Sequence, residues 1–253
     1  MDVEDKKRIL VVNDDGIGAE GIRRLAQMAK NFGEVWVVAP DAQCSAMSQR
    51  ITVRGDLVVK SVDFPVEGVH AYSVSGTPAD CVKVAFSYVL PEKPDVLFSG
   101  INAGYNVGLD LAYSGTVGAA MEGLMQGVPA IAFSGEGNGV YDVVDQYLIP
   151  ITEELLAKKL PANQIWNVNF PGCTCDKLRG IKRDRIPAQT QFYLDHYERK
   201  ELEEGAFLLS AAGVPTTQGE AGSDIEAVLN DYISVGVVSN MVLQEKGAEY
   251  GNN

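Results

Sequence analysis

Short, uninterrupted apolar runs separated by amphipathic stretches constrain this chain more than any other feature. Ile9 to Val12, Val35 to Ala39, Asp95 to Ser99, Ala130 to Ser134 and Ile165 to Asn169 are such runs. Strands buried on both faces read this way, and such strands belong to parallel sheets covered by helices. The intervening stretches near Gly18 to Asn31, Pro78 to Val89, Thr116 to Gln126 and Val140 to Lys158 carry helical patterning. The second of these opens with Thr77 as N-cap, Pro78 at the first helical position and Asp80 two residues later, a capping box. The expected fold is α/β, a Rossmann-like, doubly wound, mostly parallel sheet.

After Pro171 the pattern changes. Ile181 to Gly213 alternates polar and apolar residues, carries many charges and has no long helix. An exposed hairpin-like extension over 180–213 is expected there. A last helix, Ser223 to Leu229 with Ser223 or Asp224 as its cap, and a last strand, Tyr232 to Val238, lead into a polar tail. With 253 residues the chain sits at the upper size of one domain, and a single domain over 1–253 is the expectation.

Charge and residue usage narrow the partners. The 34 acidic against 21 basic residues give a formal charge of -13, which repels polyanions, so duplex nucleic acid is not an expected partner. The start of the chain is charged, and the apolar run behind it is too short for a signal peptide or a membrane span, so a cytoplasmic location is expected. Cys44, Cys81, Cys173 and Cys175 offer only a C-x-C pair, which matches no usual zinc or redox spacing; they read as reduced thiols. His70 and His196 are the only histidines. Any metal must therefore be held mainly by oxygen.

In an open α/β sheet, ligands bind beyond the carboxyl ends of the strands, and the first strand here ends in Asn13-Asp14-Asp15-Gly16. One acid could simply cap the next helix. A second beside it adds like-charge repulsion, which a cation would offset. The same turn contains Gly16, Gly18 and Gly21 in the G-x-G-x-x-G spacing, with Asp41 closing the next strand. An NAD(P)-binding protein is thus the alternative reading, although two carboxylates at that point would repel a pyrophosphate. Aspartyl-phosphate chemistry is not supported, because the Asp95 to Gly100 strand has no carboxylate at its tip and Asp14-Asp15 is not a D-x-D.

Ser99 to Asp110 reads as a long loop rich in glycine and asparagine at the ligand edge. It leads to Tyr113-Ser114-Gly115-Thr116, where a helix N-terminus with two hydroxyls could hold an anion, or where Ser114 or Thr116 could merely cap.

Taken together, Val12 to Gly16, Val38-Ala39-Pro40-Asp41, Ser45 in its serine-rich loop, Ser75 to Asp80, and Ser99 to Thr116 resemble the SurE family of stationary-phase survival proteins. The likeness continues through Asn167-Val168-Asn169-Phe170-Pro171 and Gly222-Ser223-Asp224. It implies a phosphatase acting on nucleoside 5'-monophosphates, with 3'-monophosphates and short polyphosphate as further substrates, and one divalent cation per subunit: manganese, magnesium or cobalt. The metal positions it implies are Asp14, Asp15, Ser45 and Asn102, all oxygen donors suited to a hard cation. Asp14 and Asp15 are also the catalytic candidates; the general acid could be an adjacent aspartate, water or the metal. The loop from Asn106 through Ser114 and Gly115 to Thr116 would hold the phosphate. A homodimer or homotetramer built by exchanging the extension is implied as well. A non-catalytic nucleotide binder is a third reading. The chain departs from the family pattern at Cys44, Gln49 and Arg50, where many relatives carry an arginine before the loop serine and a histidine later in the loop, and at Val235 to Val238.

Overall fold

The computed structural model describes residues 7–203 and 205–243, so the first residues and most of the polar tail lie outside it. In chain order the elements are β1 (Lys7–Val12), α1 (Glu20–Ala29), β2 (Gly33–Pro40), β3 (Val59–Ser61), β4 (His70–Val74), α2 (Pro78–Val84), β5 (Val96–Ala103), α3 (Gly115–Met125), β6 (Ala130–Gly135), α4 (Asp142–Leu156) and β7 (Gln164–Phe170). There follow β8 (Gly180–Arg185), β9 (Tyr193–Leu194), β10 (Tyr197–Glu201), β11 (Phe207–Ala211), β12 (Val214–Pro215), α5 (Asp224–Leu229) and β13 (Tyr232–Ser239). A π-helical turn, Ala85–Val89, continues α2, and a 3-10 turn, Gly108–Ala112, precedes α3.

The main sheet runs β3-β4-β2-β1-β5-β6-β7-β13-β8. All its pairings are parallel except β3 with β4 and β7 with β13. Alternate residues of the buried strands feed two cores. Ile9, Val11, Val35, Val37, Phe98 and Phe133 pack on one face against Ile22 and Leu25 of α1 and Val143 and Leu148 of α4. Leu10, Val12, Val38, Leu97 and Ala132 pack on the other against Cys81 and Val82 of α2 and Val117 and Leu124 of α3. This two-faced burial explains why the strands are apolar throughout. The expected capping box is present: Thr77 Oγ1 accepts from Asp80 N–H at 3.2 Å, and an Asp80 carboxylate oxygen accepts from Thr77 N–H at 3.0 Å.

Two expectations change. β5 runs on to Ala103, so the ligand-edge loop starts at Gly104 rather than Ser99. The first part of the 180–213 segment is β8, which pairs in parallel with β13 as the last strand of the main sheet. The protruding part consists of the β10–β11 hairpin and the short β9–β12 pair. At the other edge, β3 and β4 are not apparent from the sequence. The four cysteines are free thiols, as expected, and among the described residues no helix is long and apolar enough to cross a membrane.

Candidate active site

The strand order reverses at β1: β2 lies on one side and β5, reached after β4 and α2, on the other. The crevice between the carboxyl ends of β1 and β5 is the topological switch point where open α/β sheets bind ligands. β1 places Asp14 and Asp15 there, and β5 places Asn102.

Neither aspartate caps α1, the helix that follows them. The N-cap of α1 is Ala19, which makes no side-chain cap, and α1 itself opens on Glu20. Asp14 is buried and reaches α3 instead: its Oδ1 accepts from the Thr116 hydroxyl at 2.7 Å and its Oδ2 from the Thr116 N–H at 3.1 Å. Burial pushes the Asp14 carboxyl up to about 6 against those hydrogen bonds, and the adjacent Asp15 charge acts in the same direction. Asp15 ties its turn to the end of β5 through an Oδ2 that accepts from Ala103 N–H at 2.9 Å. Asn102 donates its Nδ2 to Gly104 O at 2.9 Å, which fixes the amide plane and turns Oδ1 to the other side.

Ser45 is exposed on the loop after β2, and its neighbours hold that loop in place. Cys44 N–H donates to Asp14 O at 2.7 Å, and Ser48 donates its N–H to Tyr113 O at 2.9 Å and its hydroxyl to Ala112 O at 2.7 Å. Gln49 Nε2 donates to Glu122 Oε2 of α3 at 2.9 Å. The loop lies so close on α3 that a β-carbon at Gly118 would sit 2.2 Å from Ser48 O. Similarly, a β-carbon at Gly115 would sit 2.9 Å from both Cβ and Oδ2 of Asp14. The four implied metal positions thus come from three segments that meet at the crevice.

These residues suit a hard divalent cation. Asp14 and Asp15 are adjacent carboxylates, one of them desolvated, and the remaining donors are a hydroxyl and an amide oxygen. Asn13 in the same turn has a buried Oδ1 without a hydrogen-bond partner among the described residues, a further acceptor unmatched by the protein.

The implied phosphate loop is partly committed elsewhere. The resemblance expects Thr116 to face the phosphate, yet its N–H and hydroxyl both hold Asp14. Ser114 is the N-cap of α3 and accepts from Val117 N–H at 3.0 Å, keeping its own proton to donate. Gly115 carries the close approach of Asp14. Asn106 is buried at the centre of an amide network: its N–H donates to Asn169 Oδ1 at 2.9 Å and its Nδ2 to Ser134 Oγ at 2.8 Å. Its carbonyl accepts from Asn167 and Asn169 at 2.9 and 3.0 Å.

Two carboxylates that the sequence does not mark as site residues organise the rest. Asp224 Oδ2 accepts from Gly108 N–H at 2.9 Å, and its Oδ1 from Ala188 N–H at 3.0 Å and Ile225 N–H at 2.8 Å. Asp110 Oδ2 accepts from the N–H groups of Phe192 and Tyr193 at 3.0 and 2.9 Å. Together they bind the phosphate-side loop to the root of the extension.

The glycine spacing that suggests a dinucleotide is instead a matter of backbone geometry. Gly16 has φ +97°, and a β-carbon on Gly21 would lie 2.0 Å from Ile101 O, so these two serve the turn and the packing of α1 on β5. Asp15 and Glu20 flank the helix start where a pyrophosphate would sit, and both would repel it.

A family model described as "Survival protein SurE" matches residues 9–193. The chain belongs to the SurE family. Proteins named 5'-nucleotidase SurE are similar to it across nearly the whole chain. That of Thermosipho melanesiensis is 39% identical over 241 residues, covering 94% of this chain and 93% of the relative. That of Clostridium botulinum strain Kyoto / Type A2 is 36% identical over 231 residues, covering 90% of each. The crystal structure of SurE from Aquifex aeolicus superposes with a TM-score of 0.78 at 34% identity, covering 92% of this chain and 93% of that one. In this member of the SurE family, Gln49 of the Ser45 loop is tied to α3 through Glu122.

Proposed function

We propose that this chain is a divalent-metal-dependent 5'-nucleotidase that hydrolyses nucleoside monophosphates to nucleoside and phosphate. The observation that carries the reading is the joining of Asp14 to the N-terminus of α3 and of Asp15 to the end of β5, which gathers oxygen donors at the switch point. Asp14, Asp15, Ser45 and Asn102 would hold the cation, which supplies charge neutralisation at the phosphoryl oxygens and a more acidic bound water. The Ser114 hydroxyl and the backbone ahead of α3 orient the phosphate, and the helix dipole favours its charge. Thr116 keeps Asp14 in place through both its donors. 3'-Monophosphates and short polyphosphate, which the family resemblance implies, belong to the same proposal.

Assembly through the extension is also part of it. Tyr197, Phe207, Leu208 and Leu209 are about half exposed on the β10–β11 ribbon, and a two-stranded hairpin alone is marginal in water, which favours a second copy as its cover.

Phosphate release from AMP, measured with manganese and with EDTA, tests the reading. Turnover should require the metal and should fall by at least about a hundred-fold in Asp14→Asn. Turnover that ignores chelation overturns the metal role, and tight AMP binding without turnover would make the chain a nucleotide binder only.

A further inference from the structure

Tyr193 opens the extension, yet it packs back against the loop that follows β5. Its N–H, with that of Phe192, donates to Asp110 of the 3-10 turn that leads to α3. The Phe192 ring makes T-shaped pairs with Tyr105, centroids 5.4 Å apart and planes at 87°, and with Tyr193, at 4.9 Å and 82°. These contacts, together with Thr216 N–H donating to Phe192 O at 2.7 Å, hold the residue from backbone and ring alike. Its hydroxyl reaches back over Gly104: a β-carbon built there would lie 3.3 Å from the Tyr193 hydroxyl and 3.7 Å from Asn102 Nδ2. The phenol tip therefore flanks the loop beside an implied metal position, and the residue is 38% exposed.

We infer that Tyr193 is the residue that recognises the nucleoside half of the substrate, its ring face serving as the platform on which the base stacks. The inference rests on the nucleotidase reading and adds to it the origin of nucleotide preference. A phosphate fixed at the crevice leaves its nucleoside to project outward past the rim, where a rigidly held aromatic face is the group that can meet a base of any kind. Stacking needs no charge and tolerates every base. Tyr113, on the Ser45 side of the site and 57% exposed, is the competing platform. Its ring has no aromatic neighbour among the described residues to fix its plane, as Phe192 fixes that of Tyr193, so a base gains less from it.

The test compares kcat/KM for AMP with that for ribose 5-phosphate, which carries a hydroxyl where AMP carries the base. The full-length, manganese-loaded protein should favour AMP. Tyr193→Ala should cut the AMP to ribose 5-phosphate ratio on the order of ten-fold. Tyr193→Phe should keep the ratio within about two-fold of the unaltered protein, because the ring face is intact. Tyr193→Leu preserves apolar packing on Phe192 without a flat face, so it should lose the ratio as Tyr193→Ala does and guards against a variant that merely disturbs the extension. An unchanged ratio in both Tyr193→Ala and Tyr193→Leu overturns the inference while leaving the nucleotidase reading standing. A ratio lost in Tyr113→Ala instead does the same. Failure of the unaltered protein to hydrolyse either ester overturns the reading on which the inference depends, and the inference with it.

Discussion

Replacing Asp14 by asparagine should abolish turnover and, in the absence of metal, make the protein more stable. The carboxyl is buried, and it is held at about 6 rather than 3.8 by burial first and by the Asp15 charge in addition. A group whose folded value lies above its unfolded one is protonated more readily in the folded state. Its ionisation therefore costs stability as pH rises from about 4 to about 6, and that cost persists above. A difference of roughly two pH units corresponds to about 3 kcal/mol. The hydrogen bonds survive the change, because an asparagine can accept from Thr116 N–H with its oxygen and donate to the Thr116 hydroxyl with its amide. For a domain of this size, about 3 kcal/mol corresponds to a rise in Tm of roughly 6–12 °C. Thermal melts in EDTA at pH 5 and pH 8 read this out. Asp14→Asn should melt well above the unaltered protein at pH 8, and the gap should shrink at pH 5. Manganese should raise the Tm of the unaltered protein and leave that of the variant nearly unmoved. A variant that melts below the unaltered protein at pH 8 in EDTA refutes the claim that the site stores like-charge and desolvation strain.

Gly115→Ala would push a β-carbon to within 2.9 Å of the Asp14 carboxylate, so kcat should fall on the order of a hundred-fold with the far-UV circular dichroism unchanged. Gln49→Ala removes the tie between the Ser45 loop and α3 and leaves Glu122 Oε2 without that donor; the manganese concentration for half-maximal activity should rise about three- to ten-fold, measured by metal titration of AMP hydrolysis.

The central sheet is legible in the sequence because β1, β2, β5, β6 and β7 are buried on both faces and so appear as continuous apolar runs. The edges are not. Val59–Ser61 is three exposed residues long, and β8 reads Gly-Ile-Lys-Arg-Asp-Arg because an edge strand has one solvated side and carries charges that discourage further pairing. In sequence such a charged edge looks the same as a protrusion. The paired acids of the site are visible from their adjacency alone. What Asp14 binds in place of α1 is not, since its partner, Thr116, lies 102 residues away. For the same reason Asn167 and Asn169 can be seen as a motif but not as the anchors of Asn106. Asp110 and Asp224 look like ordinary loop and helix-start acids until the fold brings distant backbone segments to them.

Those two acids also decide which part of the chain can travel. They hold Ala188 through Tyr193 to the same body that carries Asp14, and β12 returns to pair with β9 immediately beyond. An arm traded between copies would have to pivot past Leu194, taking the β10–β11 ribbon and leaving Tyr193 at home. Each crevice would then be furnished wholly by one chain, and mixing a copy lacking Asp14 with one lacking Tyr193 would restore neither.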